Sequence, residues 1–429
     1  MNYNEMSYSQ LIDWLFIQFP SFQKTGNLTV KMGLSKIDSL AGAMGHPECT
    51  YPTIHVAGTN GKGSVSSMTA AVLASTGLKV GLYTSPHLSD FRERMKVVTE
   101  EGWEMIPEDE VRGFLTQWMQ FFLDNDLSFF EITTAMAFEW FAKQKVDVAV
   151  IEVGLGGRLD ATNIIVPKLS IITNISLEHC QYLGNTLEAI AGEKAGIIKP
   201  GIPVVIGEAL PQTRPVFERI AKDRNAPITF AEDSIPAKSI TVRLEQMDLQ
   251  GDYQKRNLRT ATAAINGLRE AGFLITTQQE LHGICHAATM TGLRGRWETL
   301  RKAESGKARI ICDTGHNAHA FRWLREQIDS ISCNYDTVWF ILGVVADKNL
   351  DAIANYLPHD VNYIFTAPST GRALPSATLA SHLSDFGISG KVTGNISEAL
   401  AAAESVTGEN DLIFIAGSNY LIADLLEII

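Results

Sequence analysis

With 429 residues, the chain has room for two domains, or one large domain with an appendage. Its hydrophobic share of 45% and charged share of 20% are those of an ordinary globular protein. A net charge of −12 excludes a general nucleic-acid binder, which needs a basic field to displace counterions, but leaves room for a local basic pocket that takes an anionic small molecule. The cysteines, Cys49, Cys180, Cys285, Cys312 and Cys333, are scattered and never form C-x-x-C, which fits reduced thiols rather than a disulfide framework or a zinc site. No apolar run reaches the roughly eighteen residues of a membrane span, and no signal-peptide core opens the chain, so a cytoplasmic location is expected.

The first predicted element is an amphipathic helix over Tyr8–Phe19, with Leu11, Trp14, Leu15 and Ile17 on or near one side. A second helix runs from about Leu34 to Gly45 and stops before His46-Pro47. Next comes TIHVAGTNGKGSVSSMTAAVLAST, Thr53 to Thr76, around which the chain is organised. A β-branched run ends in a loop with Gly58, Gly61 and Gly63, and a small-residue helix follows from Val65. Strand, glycine loop and helix form a phosphate cradle, because bare backbone N–H groups and the positive helix end both face an anion. In such a cradle Lys62 neutralises β/γ oxygens and Ser64 offers its hydroxyl to Mg²⁺. The spacing G-x-x-G-K-G-S differs from the usual G-x-x-x-x-G-K-[ST], and a flexible turn after a buried strand is the plain alternative.

A strand over Val80–Ser85 breaks at Pro86, so Ser85–Arg94 is expected as an exposed loop beside the cradle, a common place for binding groups. Helices follow over Glu108–Asn125 and Phe129–Gln144, the second apolar almost all round. Asp147–Val153 and Leu169–Ser176 read as buried parallel strands, with Glu152 near the end of one and Glu178-His179 just beyond the other. A carboxylate at such a strand end lies where open α/β sheets bind ligands, although pairing with an arginine would also explain Glu152. The Thr186–Lys194 helix and the Pro203–Gly207 strand continue the alternation, which implies a doubly wound, mostly parallel sheet. Ile228–Met247 reads as a small antiparallel patch, and Gly251–Leu268 as a helix with Gln254 and Asn257 at its start. The basic stretch Leu293–Gly315 marks a boundary. Beyond it, strands at RIICD, Val338–Val344, Asn362–Ala367, Gly390–Thr393 and Asp411–Gly417 alternate with helices over Phe321–Ile331, Ser376–Phe386, Ser397–Ala403 and the C-terminal segment. The expectation is α/β throughout, a P-loop-type domain over 1–296 and a smaller Rossmann-like domain over 297–429.

Several strings, in order, resemble the folylpolyglutamate synthase/dihydrofolate synthase family of the Mur-ligase-like superfamily. They are AGTNGKGS (Ala57–Ser64), YTSPHL (Tyr83–Leu88) followed by FRER, FFEITTAMAF (Phe129–Phe138), EVGLGGRLDATN (Glu152–Asn163) and LEHCQYLGNTLEAIAGEKAGIIK (Leu177–Lys199). GDYQKRN (Gly251–Asn257), GRWE (Gly295–Glu298), DTGHN (Asp313–Asn317), ADK (Ala346–Lys348), RALP (Arg372–Pro375) and GSNY (Gly417–Tyr420) complete the set. The resemblance implies an ATP- and Mg²⁺-dependent ligase that activates a carboxylate as an acyl phosphate and joins it to the amine of L-glutamate. The acceptors it implies are dihydropteroate and reduced folates. S-P-H-L and R-L-D-A-T-N look like members that make dihydrofolate as well as extending the tail, with tail extension alone as the alternative. A P-loop kinase or other NTPase remains the reading from a different class.

By the same resemblance, Gly58, Thr59, Asn60, Gly61, Lys62, Gly63, Ser64, Asn257, Arg296 and Asp313 belong to the ATP site, and Ser64, Glu152 and His179 match ligands of one or two Mg²⁺ ions. Lys194 matches a lysine that CO₂ converts to a carbamate, an unmodified lysine facing phosphate being the alternative. His316 is implied in catalysis and, with Ser418, in holding glutamate. Ser85, Pro86, His87, Arg92, Arg94, Phe130, Asp160 and Ala161 are implied around the pterin, with core packing as the other account of Phe130. Departures are D-T-G-H-N-A where the family has D-G-A-H-N-P, Glu178 for an aspartate, and no proline before Gly295-Arg296. A cytoplasmic monomer with small-molecule partners, no nucleic acid and no membrane completes the expectation.

Overall fold

The buried run Thr53–Ala57 (β1) is the middle of an eight-stranded sheet. The other strands are β2 (Val80–Tyr83), β3 (Met95–Thr99), β4 (Gly102–Met105), β5 (Val148–Glu152), β6 (Leu169–Ile172), β7 (Val204–Ile206) and β8 (Ile228–Phe230), in the order β4-β3-β2-β5-β1-β6-β7-β8. The computed structural model describes residues 6–19, 33–235 and 246–429. They divide into two compact units, the first running to Asp248 and resuming over Gln254–Leu293, the second made of Leu249–Tyr253 and Arg294–Ile429.

From β2 through β8 every pairing in the first sheet is parallel, and β5, β1 and β6 carry the continuous apolar burial of strands covered on both faces. β1 feeds a connection to β2 on one side, and β6 feeds β7 on the other. The chain therefore reverses direction beside β1, and a crevice at the carboxyl ends of β5, β1 and β6 is the binding position that this topology dictates. The Lys62–Ala74 helix starts three residues earlier than its apolar run suggests and is buried from Ser64 onward. Small side chains make that burial possible: a Cβ on Gly283, in the Thr277–Cys285 helix, would stand 2.5 Å from the backbone of Val72. The Phe129–Gln144 helix forms as expected, capped by reciprocal bonds between Ser128 and Glu131, and it joins one apolar cluster with the Tyr8–Gln18 and Glu108–Asp124 helices.

Antiparallel pairing in this sheet is seen at β2-β3-β4, and the described start of the expected patch, Ile228–Ile235, has none. β8 pairs parallel with β7, Ala231–Ser234 makes one helical turn, and the rest of that expected patch, residues 236–245, lies outside the described residues. β3 escapes a pattern reading because a lysine interrupts its apolar run. Lys96 is nevertheless buried, donating to the carbonyls of Thr291 (2.9 Å) and Gly292 (3.1 Å) with its ammonium 4.7 Å from the Trp103 ring centre.

In the second unit β9 (Glu298–Arg301), β10 (Arg309–Cys312), β11 (Val338–Leu342), β12 (Asn362–Phe365), β13 (Gly390–Val392) and β14 (Leu412–Ala416) form a sheet ordered β13-β12-β11-β14-β10-β9. All its pairings are parallel except β9 with β10. Two apolar clusters cover it, one around Phe321, Phe340, Phe365 and Phe414, the other around Ile341, Ile415 and Leu421.

Candidate active site

The loop leaving β1 is pinned to the end of β6. Thr59 N–H donates to the Asn174 carbonyl (2.9 Å), Asn60 N–H to Asn174 Oδ1 (3.0 Å), and Thr173 Oγ1 to the Asn60 carbonyl (2.6 Å). Gly58 (φ 146°) and Gly61 (φ 82°) hold backbone conformations that side chains rarely adopt, and a Cβ at either would overlap Thr173 Oγ1 or Asn257 Oδ1 respectively. Gly61 caps the Lys62–Ala74 helix without a side-chain bond to its first turn, so the N–H groups of that turn keep the orphan donors that bind anions. Gln254 links the loop to the Gln254–Glu270 helix: its Nε2 donates to the buried Ser64 hydroxyl (3.2 Å), and its Oε1 accepts from Asn257 (2.7 Å).

Two lysines meet on one carbonyl. Lys62 Nζ reaches the Gly58 oxygen at 3.1 Å and that of Thr59 at 3.2 Å, while Lys194 Nζ, at the end of the Leu187–Lys194 helix, reaches Gly58 at 2.8 Å. Burial, and next the charge of Lys62, lower the Lys194 pKa from 10.5 to about 7, against opposing pulls from Glu178 and Asp160. Glu152 ends β5, is buried, and accepts from Ser85 N–H at 3.4 Å. His179 follows β6 with left-handed backbone (φ 52°), its Nε2 4.0 Å from Glu178. Among the described residues no three His, Cys, Asp or Glu side chains gather as a metal centre. Hydroxyl, carboxylate and one imidazole nevertheless suit Mg²⁺, which prefers oxygen and keeps several waters.

The Ser85–Arg94 stretch is not exposed throughout. Pro86 and Ser89 are exposed, but Phe91 and Arg94 are buried and the rest is half-buried. Glu93 organises it by accepting from the N–H groups of Leu88, Ser89 and Asp90. Arg94 Nε donates to His87 Nδ1 (2.8 Å), and its guanidinium lies 5.3 Å from the Phe129 ring centre. Because arginine only donates, His87 Nδ1 is the bare acceptor nitrogen. Arg92 is spent on Asp90 at 2.7 Å. Phe130 is half-buried, its ring where a Cβ on Gly154 would stand, and Leu155 N–H, one residue on, donates to Asp160 Oδ2 (2.8 Å). Phe130, the Gly154-Leu155 turn, Asp160 and the buried Ala161 are thus brought together. Burial raises the Asp160 pKa, against hydrogen bonds from Thr162, Leu155 and Gly154.

In the second unit Asp313 is buried and crowded with donors. Tyr253 Oη donates to Oδ2 (2.6 Å), Trp297 N–H to Oδ2 (2.8 Å) and Gly315 N–H to Oδ1 (2.7 Å). Burial pushes the Asp313 carboxyl up, Tyr253 and Arg296 opposing it. Arg296 bonds the Gly295 carbonyl (3.1 Å) and the Thr314 hydroxyl. His316 Nδ1 donates to the Thr314 carbonyl (2.9 Å). Asn317 caps the Ala318–Ile331 helix through Ala320 N–H, so Ala318 occupies the first-turn position where the family's proline is tolerated. Ser418 is buried and caps the Asn419–Leu426 helix through Leu421 N–H.

The model of the Mur ligase middle domain matches residues 56–263, and that of the Mur ligase glutamate ligase domain matches 295–419. A folylpolyglutamate synthase of Lacticaseibacillus casei is 33% identical, over 97% of both chains. The chain belongs to the folylpolyglutamate synthase/dihydrofolate synthase family. A dihydrofolate synthase/folylpolyglutamate synthase of Bacillus subtilis is 32% identical, over 92% of this chain and 94% of that one. Among solved structures, folylpolyglutamate synthase of Mycobacterium tuberculosis complexed with ADP superposes with TM-score 0.83 at 26% identity, covering 98% of this chain and 97% of that one. E. coli FolC in complex with DHPP and ADP gives 0.82 at 26% identity, over 97% of each.

Within this member of the family, several residues that hold the site had no signal in the sequence reading. Thr173 and Asn174 look like the tail of an apolar strand, yet they fix the loop. Tyr253 sits in GDYQKRN without an assigned task and binds Asp313. Phe16, on the N-terminal helix, stacks on Phe129 at 4.9 Å and lies edge-on to His87 at 6.1 Å.

Proposed function

We infer that this chain is an ATP-dependent ligase that joins L-glutamate to folates, and that it both converts dihydropteroate to dihydrofolate and lengthens the tail of reduced folates at the γ-carboxyl. The observation that carries the reading is the glycine loop in which Lys62 and buried Lys194 meet on the Gly58 carbonyl and which opens the Lys62–Ala74 helix without a side-chain cap, an anion cradle. Hydroxide is a poor leaving group, so amide formation needs prior activation. A carboxylate oxygen of the acceptor attacks the γ-phosphorus of ATP and ADP leaves. The glutamate amine then attacks the acyl carbon, phosphate leaves, and the amine gives up a proton. Catalysis is mostly positioning and charge neutralisation.

In that scheme Lys62 and the N–H groups of Gly61, Gly63 and Ser64 hold the β/γ-phosphates, and Asn257, Arg296 and Asp313 serve the nucleotide. Ser64, Glu152 and His179 would hold Mg²⁺, which when bound neutralises phosphate charge. Phe130, Asp160, His87 and Arg94 serve the pterin, and His316 and Ser418 the glutamate. Lys194 enters either as the amine or, after reaction with CO₂, as a carbamate. Both activities are favoured because His87 and Asp160, the residues expected to change in members that only extend the tail, are present and held by Arg94 and Thr162. Domain limits near residue 296, a monomer and a cytoplasmic location belong to the same reading.

The test is phosphate release with ATP, Mg²⁺ and L-glutamate, adding dihydropteroate or tetrahydrofolate in turn. Release that requires glutamate and rises with each pterin is expected. Glutamate-independent hydrolysis that neither pterin stimulates would sink the ligase reading, and stimulation by tetrahydrofolate alone would restrict it to tail extension.

A further inference from the structure

We propose that His55 is a positioning residue for the pterin subsite, holding the Asp160 carboxylate as a one-way acceptor through the hydroxyl of Thr162. The inference rests on the reading of Asp160 as a pterin contact. His55 lies on β1, wholly buried, in the strand that feeds the phosphate loop. Its Nε2 is 2.8 Å from Thr162 Oγ1, which is 2.5 Å from Asp160 Oδ1. Asp160 Oδ1 also accepts from Thr162 N–H (3.0 Å), and Oδ2 accepts from Leu155 N–H (2.8 Å).

A threonine hydroxyl has one proton and two lone pairs. The short bond to a carboxylate that already faces the backbone donors of Thr162, Leu155 and Gly154 takes that proton, so His55 must supply the other one as Nε2–H. The opposite direction would need a protonated Asp160 set against N–H donors, and it would leave His55 Nδ1–H buried without an acceptor. Nδ1 has no hydrogen-bond partner among the described residues, and a bare nitrogen there costs less than an orphaned N–H. Burial and the cation of Lys199 keep the ring neutral, with the pKa lowered to about 3, so it does not become a double donor. An apolar side chain would cost less at this buried strand position. What histidine adds is one donor, and the chain of bonds ends on a carboxylate fixed as an acceptor, the chemistry that the N–H groups of a 2-amino-4-oxo heterocycle need.

Six variants and one spectrum test this. His55→Leu and Thr162→Val remove the relay, whereas His55→Gln and Thr162→Ser keep a donor at its place. Removal is expected to raise KM for dihydropteroate about tenfold, as losing one charge-assisted bond does, with kcat and KM for ATP within about twofold. The conservative pair should stay near wild type, and the double variant His55→Leu/Thr162→Val should be no worse than Thr162→Val alone. In ¹⁵N-labelled wild-type protein the His55 ring should show a proton on Nε2 and none on Nδ1, a readout independent of activity and of how any variant folds. A proton on Nδ1, equal losses with every substrate, or additive effects in the double variant overturn the proposal. Asp160→Asn separates the two levels. If it raises KM for dihydropteroate while His55→Leu and Thr162→Val do not, the relay fails alone; if it leaves KM unchanged, the pterin reading of Asp160 falls and the relay's role with it.

Discussion

Lys194→Met should stabilise the protein near neutral pH even as it removes a residue of the candidate active site. The Lys194 amine is buried, and Lys62 Nζ bonds the same Gly58 carbonyl. A drop in pKa from 10.5 to about 7 corresponds to roughly 4–5 kcal/mol of preference for the neutral amine in the native state. The sign follows from proton counts. Between about pH 7 and 10 the unfolded chain carries a proton that the native chain lacks, so stability rises with pH across that window and is flat below it, where both states are charged. Methionine of similar length removes the charge at the loss of one hydrogen bond, about 1 kcal/mol, and Gly58 keeps Lys62 as a donor. The net gain expected at pH 7 is about 3 kcal/mol, shrinking to nothing by pH 10. Urea unfolding of wild type and variant from pH 6 to 10, without nucleotide and in CO₂-free buffer, measures it. A gain equal at pH 7 and pH 10, or a variant less stable at pH 7, would refute the electrostatic account. Adding bicarbonate at pH 7 should raise wild-type stability and leave the methionine variant unchanged if the neutral amine takes up CO₂.

Lys62→Ala should abolish turnover while the unfolding midpoint stays within a few degrees of wild type, since this side chain is only half-buried; retained ligase activity would remove the cradle lysine from the mechanism. Tyr253→Phe should destabilise the second unit by about 1–3 kcal/mol, because it takes one of three donors from buried Asp313. Its measure is the urea midpoint of that unit's transition, and an unchanged midpoint would refute it.

What the sequence disclosed and what it hid divide along the range of the interactions. The Phe129–Gln144 helix and the strands β5 and β6 announce themselves because apolar periodicity and caps are local. The phosphate loop is legible for the same reason, its glycines and lysine lying within seven residues, Gly58 to Ser64. β3 was hidden by Lys96, whose partners Thr291 and Gly292 lie almost two hundred residues on (separations 195 and 196). Likewise nothing near Asp313 hints that Tyr253, sixty positions earlier, would bind it. The exposed loop expected over Ser85–Arg94 became partly buried because Arg94 is consumed by His87 and the Phe129 ring, contacts that composition cannot foresee.

The overlap of Gly58 with Thr173, and of Gly61 with Asn257, makes two pairs of positions that cannot drift independently. A side chain at 58 needs a smaller residue at 173 and relief of an unfavourable φ, and one at 61 needs Asn257 gone, along with its bond to Gln254. Libraries randomised over the loop alone should therefore return glycine at both places. Only libraries that open residues 173 and 257 in the same clones have a route to other solutions, so the shortest path to a re-engineered nucleotide site starts outside the loop.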